Sequence, residues 1–387
     1  MSPEAFPHSP RFDLTTSAYR LRTSGVARRV RPTTWNGPAV AEAVERTLRD
    51  ARAAAGGGGE PIVVGAIPFD PSREALLHVP EHVSWGGPPE PVRPPRTGRG
   101  RRVRLDDDDP HYRRAVAAAV QRIRGGELDK VVLARRATAH REDPFDVNAL
   151  HASLAAANPS AYAFRFDLPE QSPGAPPTTL LGASPELVLS SSGGLVESHP
   201  LAGSTPRRDD PDDDRAVAQA LLGSAKARGE HGHVVRAVAQ AFERLATDVH
   251  VPDAPSLLST PVIWHLGTRI TGRLRPGASP LELAYAMHPT PAVCGWPAGA
   301  ARRMIGELED FDRGLYSGLV GWIDAEGNSE WALTLRCAEV HGATATLYAG
   351  AGIVSASDPD DEHEETDVKL STFLHALESA DDPVPVA

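Results

Sequence analysis

Cysteine is nearly missing from this chain: 387 residues contain two, Cys294 and Cys337. Two thiols make no disulfide framework, and neither stands in a metal-ligand spacing, so a reducing, cytoplasmic setting is the expectation. Nor is there an apolar run of about 18 residues, as a helix crossing a bilayer needs. The first residues lack the apolar stretch of a secretory signal. A basic excess is absent too: 40 Lys and Arg stand against 51 Asp and Glu, for a net charge of −11. That argues against general nucleic-acid binding, which needs a positive footprint. Small anionic ligands stay open, because local charge decides them. The glycine-rich loop that cradles nucleotide phosphates is missing as well; Gly350-Ala351-Gly352 follows a strand-like segment without the third glycine.

What is present is an ordinary globular composition, 41% hydrophobic and 24% charged, in a chain long enough for one or two domains. Residues 1 to about 35 read as a loosely ordered arm or an irregular first strand. A helix is expected over 38–55, ended by the Gly56–Gly59 run, and a buried strand over 61–68. Residues 86–103 are a Pro/Gly/Arg linker, and the acidic run Asp106–Asp109 before Pro110 is a helix start. This divides the chain into an N-terminal arm and helix over 1–60, one large domain over 61–380, and a tail over 381–387. Strands are expected at 130–137, 161–168, 179–190, 194–198, 262–272, 316–323, 330–340 and 344–354, and helices at 211–226, 231–247 and 359–378. Short turns such as Ala325-Glu-Gly-Asn328 join neighbouring strands as hairpins. The fold class is therefore α+β, with large antiparallel sheets and helices outside.

Several clusters could carry chemistry. Lys130 opens the apolar run Val131-Val132-Leu133, where an ammonium is costly to bury and its pKa falls toward a base's range; snorkelling to solvent is the bland alternative. Glu197 alternates with Val196 and Ser198 on a strand, just before the turn at Gly203-Ser204; a surface glutamate is its bland reading. Glu230 follows Lys226 where a helix opens, and Glu362, Glu365 and Lys369 share one face of another. Such carboxylates repel unless a cation sits between them, and oxygen ligation with retained waters suits magnesium. His231 and His233 lack a zinc spacing. Arg336 lies in an otherwise apolar strand segment and suits a carboxylate, although an internal salt bridge would explain it equally. His265 is a possible donor or a satisfied core histidine.

Together these segments resemble the chorismate-utilising enzymes, the family of isochorismate, anthranilate, aminodeoxychorismate and salicylate synthases. The resemblance covers about residues 61–378 and rests on Leu128–Arg135, Gly182–Leu187, Pro200–Arg207, Glu230-His231, Tyr316–Trp322, Leu335–Ala338, Ala349–Val354 and the Glu362/Glu365/Lys369 helix. Gly65–Pro71 and His288–Gly295 are most similar to the isochorismate synthase branch. Ala202 stands where aminodeoxychorismate synthases carry a nucleophilic lysine.

The resemblance implies an anthranilate-synthase-component-I-like fold with two facing sheets, a chorismate pocket and a bound Mg2+. It implies Lys130 as the base that activates water and a protonated Glu197 as the acid that releases the hydroxyl. Glu230 and Glu365 would hold the metal, with Glu362 on its water. Substrate contacts would come from Gly203, Ser204, His265, Ala292, Val293, Arg336, Tyr348, Gly350 and Lys369. The expected product is isochorismate for siderophore, menaquinone or other secondary metabolism. A salicylate synthase, or a non-catalytic chorismate-binding regulator, is the alternative. A monomer without nucleic-acid or membrane partners is expected. In one departure from the family pattern, Ala227 replaces the acid often found three residues before the metal glutamate.

Overall fold

Apolar and β-branched runs such as Ile62–Ile67 bury both faces and set the strand content high. The computed structural model describes residues 10–54, 60–89, 103–106, 110–169 and 177–379. Among these, one sheet has ten strands. It runs from Gly295–Trp296 through Lys130–His140, Thr344–Ile353, Cys337–His341, Thr178–Ser184, Tyr162–Asp167, Arg11–Thr15 and Arg20–Ser24 to His82–Gly86, with Arg104–Asp106 beside Lys130–His140. A nine-stranded sheet runs from Ala246–His250 through Ile270–Leu274, Leu195–His199, Leu187–Ser192, Ser329–Leu333, Leu319–Asp324, Ile62–Ile67 and Leu76–Val79 to Arg28–Arg29. Leu201–Pro206, Ile263–Gly267 and Ser256–Ser259 form a third. The pairings are antiparallel, as the hairpin turns imply.

The two large sheets face each other. Phe12, Leu14, Phe164 and Leu180 of one pack in a single cluster with Val64, Ala66, Val320 and Ala332 of the other. Helices cover the outer faces. Gly37–Ala54, Ala225–Leu245 and Pro280–Met287 bury Val44, Phe242 and Leu281 on the nine-stranded sheet. Val147–Ala157 and Pro359–Ser379 bury Leu154 and Phe373 on the ten-stranded one. Pro110–Arg124 and Ala298–Leu308 cover its Lys130 end. The α+β class with outer helices is the architecture read from the sequence. No helix among the described residues is long and apolar enough to cross a membrane.

Three segments read as continuous strands are broken. Residues 179–190 become Thr178–Ser184 in one large sheet and Leu187–Ser192 in the other, and the chain crosses at Pro185-Glu186. Residues 330–340 become Ser329–Leu333 and Cys337–His341, crossing back at Arg336, whose φ is 50°. Residues 262–272 divide at Thr268-Arg269. Alternation runs on through a crossover, so the pattern does not reveal it; only Pro185, which cannot serve a central ladder, signals a break. Residues 11–29 are also more ordered than an arm, with Phe12, Leu14 and Leu21 in the core. The helix reading at 211–226 and 231–247 shifts to Pro211–Gly223 and Ala225–Leu245, because Ser224 caps the second helix. Most of the 86–103 linker, the Gly56–Gly59 run, 107–109, 170–176 and the 381–387 tail lie outside the described residues.

This packing predicts a contrast. Phe164→Ala, at a fully buried ring, loses about 3–5 kcal/mol of stability. Leu195→Ala, at a residue 56% exposed, loses no more than about 0.5. Urea denaturation of both variants checks the inward and outward faces; equal losses would contradict the packing.

Candidate active site

A cavity of about 240 Å³ lies beside the two crossovers, walled on one side by the starts of helices Ala225–Leu245 and Pro359–Ser379. Lys130 is the first residue of its strand and only 3% exposed. Its Nζ is 3.9 Å from Glu230 Oε2. A Cβ on Gly352, in the neighbouring strand, would stand 2.8 Å from the lysine Cε and 3.2 Å from Nζ. The absent side chain is thus the groove in which the lysine lies. Burial pushes the Lys130 pKa down, and the Glu230 charge only partly offsets it.

Glu186 sits in the first crossover and is 4% exposed. Its Oε1 is buried and makes no hydrogen bond among the described residues. Burial pushes its carboxyl up to about 8, with the Leu201 backbone and Lys130 pulling weakly the other way. At neutral pH it is therefore mostly the un-ionised acid, in the same cavity as the depressed lysine.

The helix Pro359–Ser379 presents Glu362, Glu365 and Lys369 on one stripe because their spacings are three and four. Lys369 Nζ donates to Glu365 Oε1 at 2.6 Å and to the Gly350 carbonyl at 2.8 Å; the Ser204 hydroxyl donates to Glu365 at 3.2 Å. Burial pushes Glu365 up, but Lys369 and Ser204 hold it below the usual range. Glu230 and Glu362 are both raised, first by burial, with the Glu365 charge adding; Glu362 reaches about 7. On its next face the helix is bolted to the Lys130 strand. The fully buried Arg135 guanidinium donates to Thr366 Oγ1 at 2.7 Å and pairs with Asp367.

The facing wall is cationic and aromatic. Arg336 has a buried terminal nitrogen without a partner among the described residues, and burial draws its pKa to about 10, so it stays charged. His265 is drawn to about 3, by burial first and Arg336 next, and is neutral. Tyr348 stacks on Tyr316 with centroids 5.1 Å apart. Gly203, at φ 77°, turns the backbone past Ala227.

Residues 93–378 match the family described as chorismate binding enzyme. The chain belongs to the chorismate-binding enzymes. It is 42% identical over 338 residues to the isochorismate synthase DhbC of Bacillus subtilis, covering 86% of this chain and 84% of that protein. The structure of the putative 2,3-dihydroxybenzoate-specific isochorismate synthase DhbC from Bacillus anthracis superposes with a TM-score of 0.89 at 39% identity, over 95% of this chain and 96% of that one. Anthranilate synthase component I from Streptococcus pneumoniae shares the fold, with a TM-score of 0.72 at 20% identity over 96% and 94%.

In this chorismate-binding enzyme, Lys130, Glu230, Glu362, Glu365 and Lys369 line the one cavity together with Gly203, Ser204, His265, Ala292, Val293, Arg336, Tyr348 and Gly350. Glu197 does not. It faces a surface groove with Asp248 and Arg273, and Arg269 Nη2 donates to it at 2.5 Å. Val196 and Ser198 take the buried side of that strand, so the alternation that gives Glu197 a single face gives it the outer one. The cavity carboxyl raised to about 8 is Glu186, which strand reading over 179–190 concealed; the signal was the Ser184-Pro185 break before it. Arg336 is not in a strand but at the second crossover, where the bend turns its side chain toward the cavity. Lys226 and Tyr316 are further lining residues without a prior assignment.

Filling the lysine groove tests the arrangement. Gly352→Ala is expected to fold and to lose at least about tenfold in turnover, because it displaces the Lys130 amine. Wild-type turnover in that variant would remove Lys130 from the chemistry.

Proposed function

We propose that the chain is an isochorismate synthase, interconverting chorismate and isochorismate by addition of water and loss of a ring hydroxyl. One observation carries this reading: an amine with a lowered pKa and a carboxyl raised to about 8 share a cavity lined by carboxylate-binding groups. Lys130 takes a proton from the water that attacks the ring carbon beside the carboxylate. Glu186 gives its proton to the departing hydroxyl, which leaves as water. Arg336 and the backbone at Gly203-Ser204 and Gly350 hold the substrate's carboxylates, and the Tyr316–Tyr348 stack walls the ring.

Magnesium fits the remaining groups. Glu230, Glu362 and Glu365 offer hard oxygens, and the mutual raising of Glu230 and Glu362 by Glu365 is the repulsion a cation relieves. Among the described residues no three His, Cys, Asp or Glu side chains close a cage alone. Magnesium needs no such cage, since it keeps waters and binds through one or two carboxylates and substrate oxygens. Held by Glu230, Glu362 and Glu365, such an ion would supply positive charge to the substrate's ring carboxylate.

Chromatography of products from chorismate tests the reading. Isochorismate is expected with magnesium and none after EDTA; salicylate with pyruvate would mean a salicylate synthase, and no turnover at all would fit a regulator. Lys130→Ala and Glu186→Gln each lose about 10²- to 10⁴-fold in turnover, while Glu197→Gln stays near wild type. Loss in Glu197→Gln with an active Glu186→Gln would reverse the assignment.

The pH dependence follows from the two groups. Forward turnover needs Glu186 protonated, so kcat/KM falls as pH rises through about 8. It needs Lys130 neutral, so kcat/KM falls again as pH drops below the lowered lysine value. A profile flat to well above the Glu186 value would contradict the acid role.

A further inference from the structure

Among the described residues, the outer edge of the strand Lys130–His140 has strand partners only at its ends. Gly295–Trp296 pairs with Lys130 and Val131, and Arg104–Asp106 with Thr138 to His140. Beyond the Val132 N–H, which donates to the Cys294 carbonyl at 2.9 Å, side chains take the ladder's place. The Ala134 N–H donates to Glu309 Oε1 at 2.8 Å, and the Val132 carbonyl accepts from Arg313 at 2.7 Å. The same guanidinium donates to the Val293 carbonyl at 2.7 Å and, through Nε, to Glu309 at 2.9 Å. It lies over the Phe69 ring, 4.5 Å from its centroid. The Arg313 and Glu309 side chains are each only 2% exposed.

Two of the tied residues, Val132 and Val293, are cavity walls; a third, Tyr316, donates its N–H to the Arg313 carbonyl at 2.8 Å. A pair this deep is a poor way to add stability, since well-packed apolar residues often do as well or better. It is a good way to hold two backbone carbonyls and one carboxylate at once, because a planar guanidinium presents its donors in a rigid fork.

We propose that Arg313 is a positioning residue for the reaction. With Glu309 it fixes the Thr290–Cys294 wall to the strand that carries Lys130, and so sets the gap in which the substrate ring meets the amine. The inference rests on the isochorismate synthase reading. The fork bonds to none of Glu230, Glu362 and Glu365, so its effect falls on ring placement and not on the ion.

Arg313→Lys and the isosteric Glu309→Gln test it, with melting temperature, kcat, KM for chorismate and half-saturating magnesium measured on each. Lysine cannot reach Glu309 and both carbonyls together. Its kcat is expected to fall about 10²-fold, the order expected for a misplacement of about 1 Å. Glu309→Gln leaves the carbonyl bonds and falls about tenfold on the same scale. Half-saturating magnesium stays within about twofold in both, a split that general loosening would not give. Wild-type kcat in folded Arg313→Lys overturns the proposal; if that variant does not fold, wild-type kcat in Glu309→Gln does. A magnesium response shifted as far as kcat overturns it as well. Failure of the unaltered protein to convert chorismate would instead remove the reaction itself, so the two failures are distinct.

Discussion

A lysine buried from bulk solvent at the wall of the cavity is the constraint on which the rest of the site depends. Lys130 is held in a strand between two neighbours, its stem in the groove left by Gly352 and its amine 3.9 Å from a single carboxylate oxygen. One nearby anion does not offset the loss of hydration, so the amine's pKa is lowered toward that of a usable base. Burial acts oppositely on Glu186, whose acid form is favoured because its carboxylate loses hydration with Oε1 left without a donor among the described residues. Desolvation therefore shifts a base and an acid in one pocket in opposite directions, each toward the form that water disfavours.

The remaining carboxylates are treated differently, and the contrast divides the pocket by task. Glu365 is supplied with Lys369 and Ser204 and is held below the usual range, whereas burial raises Glu230 and Glu362, which Lys130 and the Ser357 hydrogen bond respectively only partly offset. This side of the cavity asks for a cation. It is built on two helices, one of them tied to the Lys130 strand through the buried Arg135. The opposite side, where Arg336 meets the crossovers, asks for an anion. A substrate with carboxylates and a divalent ion satisfies both.

Much of this was readable in the sequence, in proportion to how local the cause was. The stripe of Glu362, Glu365 and Lys369 follows from helical spacing, and a lysine at the head of an apolar strand signals its own burial. Sheet facing follows from alternation. What was not readable depends on which sheet a residue joins. Glu197 and Glu186 both follow apolar or small residues in strand-like runs; one lies within a strand with its face outward, the other where the chain leaves one sheet for the next. Period-two patterning is blind to that difference, and only Pro185 marked it. Arg336 was placed in the right cavity for a partly wrong reason, since a crossover and not a strand aims it. The Arg313–Glu309 junction left no sequence signal at all, because it replaces ladder hydrogen bonds that exist only once the sheet is assembled.

The protonation of Glu186 in the resting protein is the central claim, and infrared difference spectroscopy between the wild type and Glu186→Gln reads it directly. At neutral pH the wild type is predicted to show a protonated carboxyl band that the variant lacks and that fades as pH is raised through about 8. A carboxylate signal from Glu186 already complete at neutral pH would contradict the account.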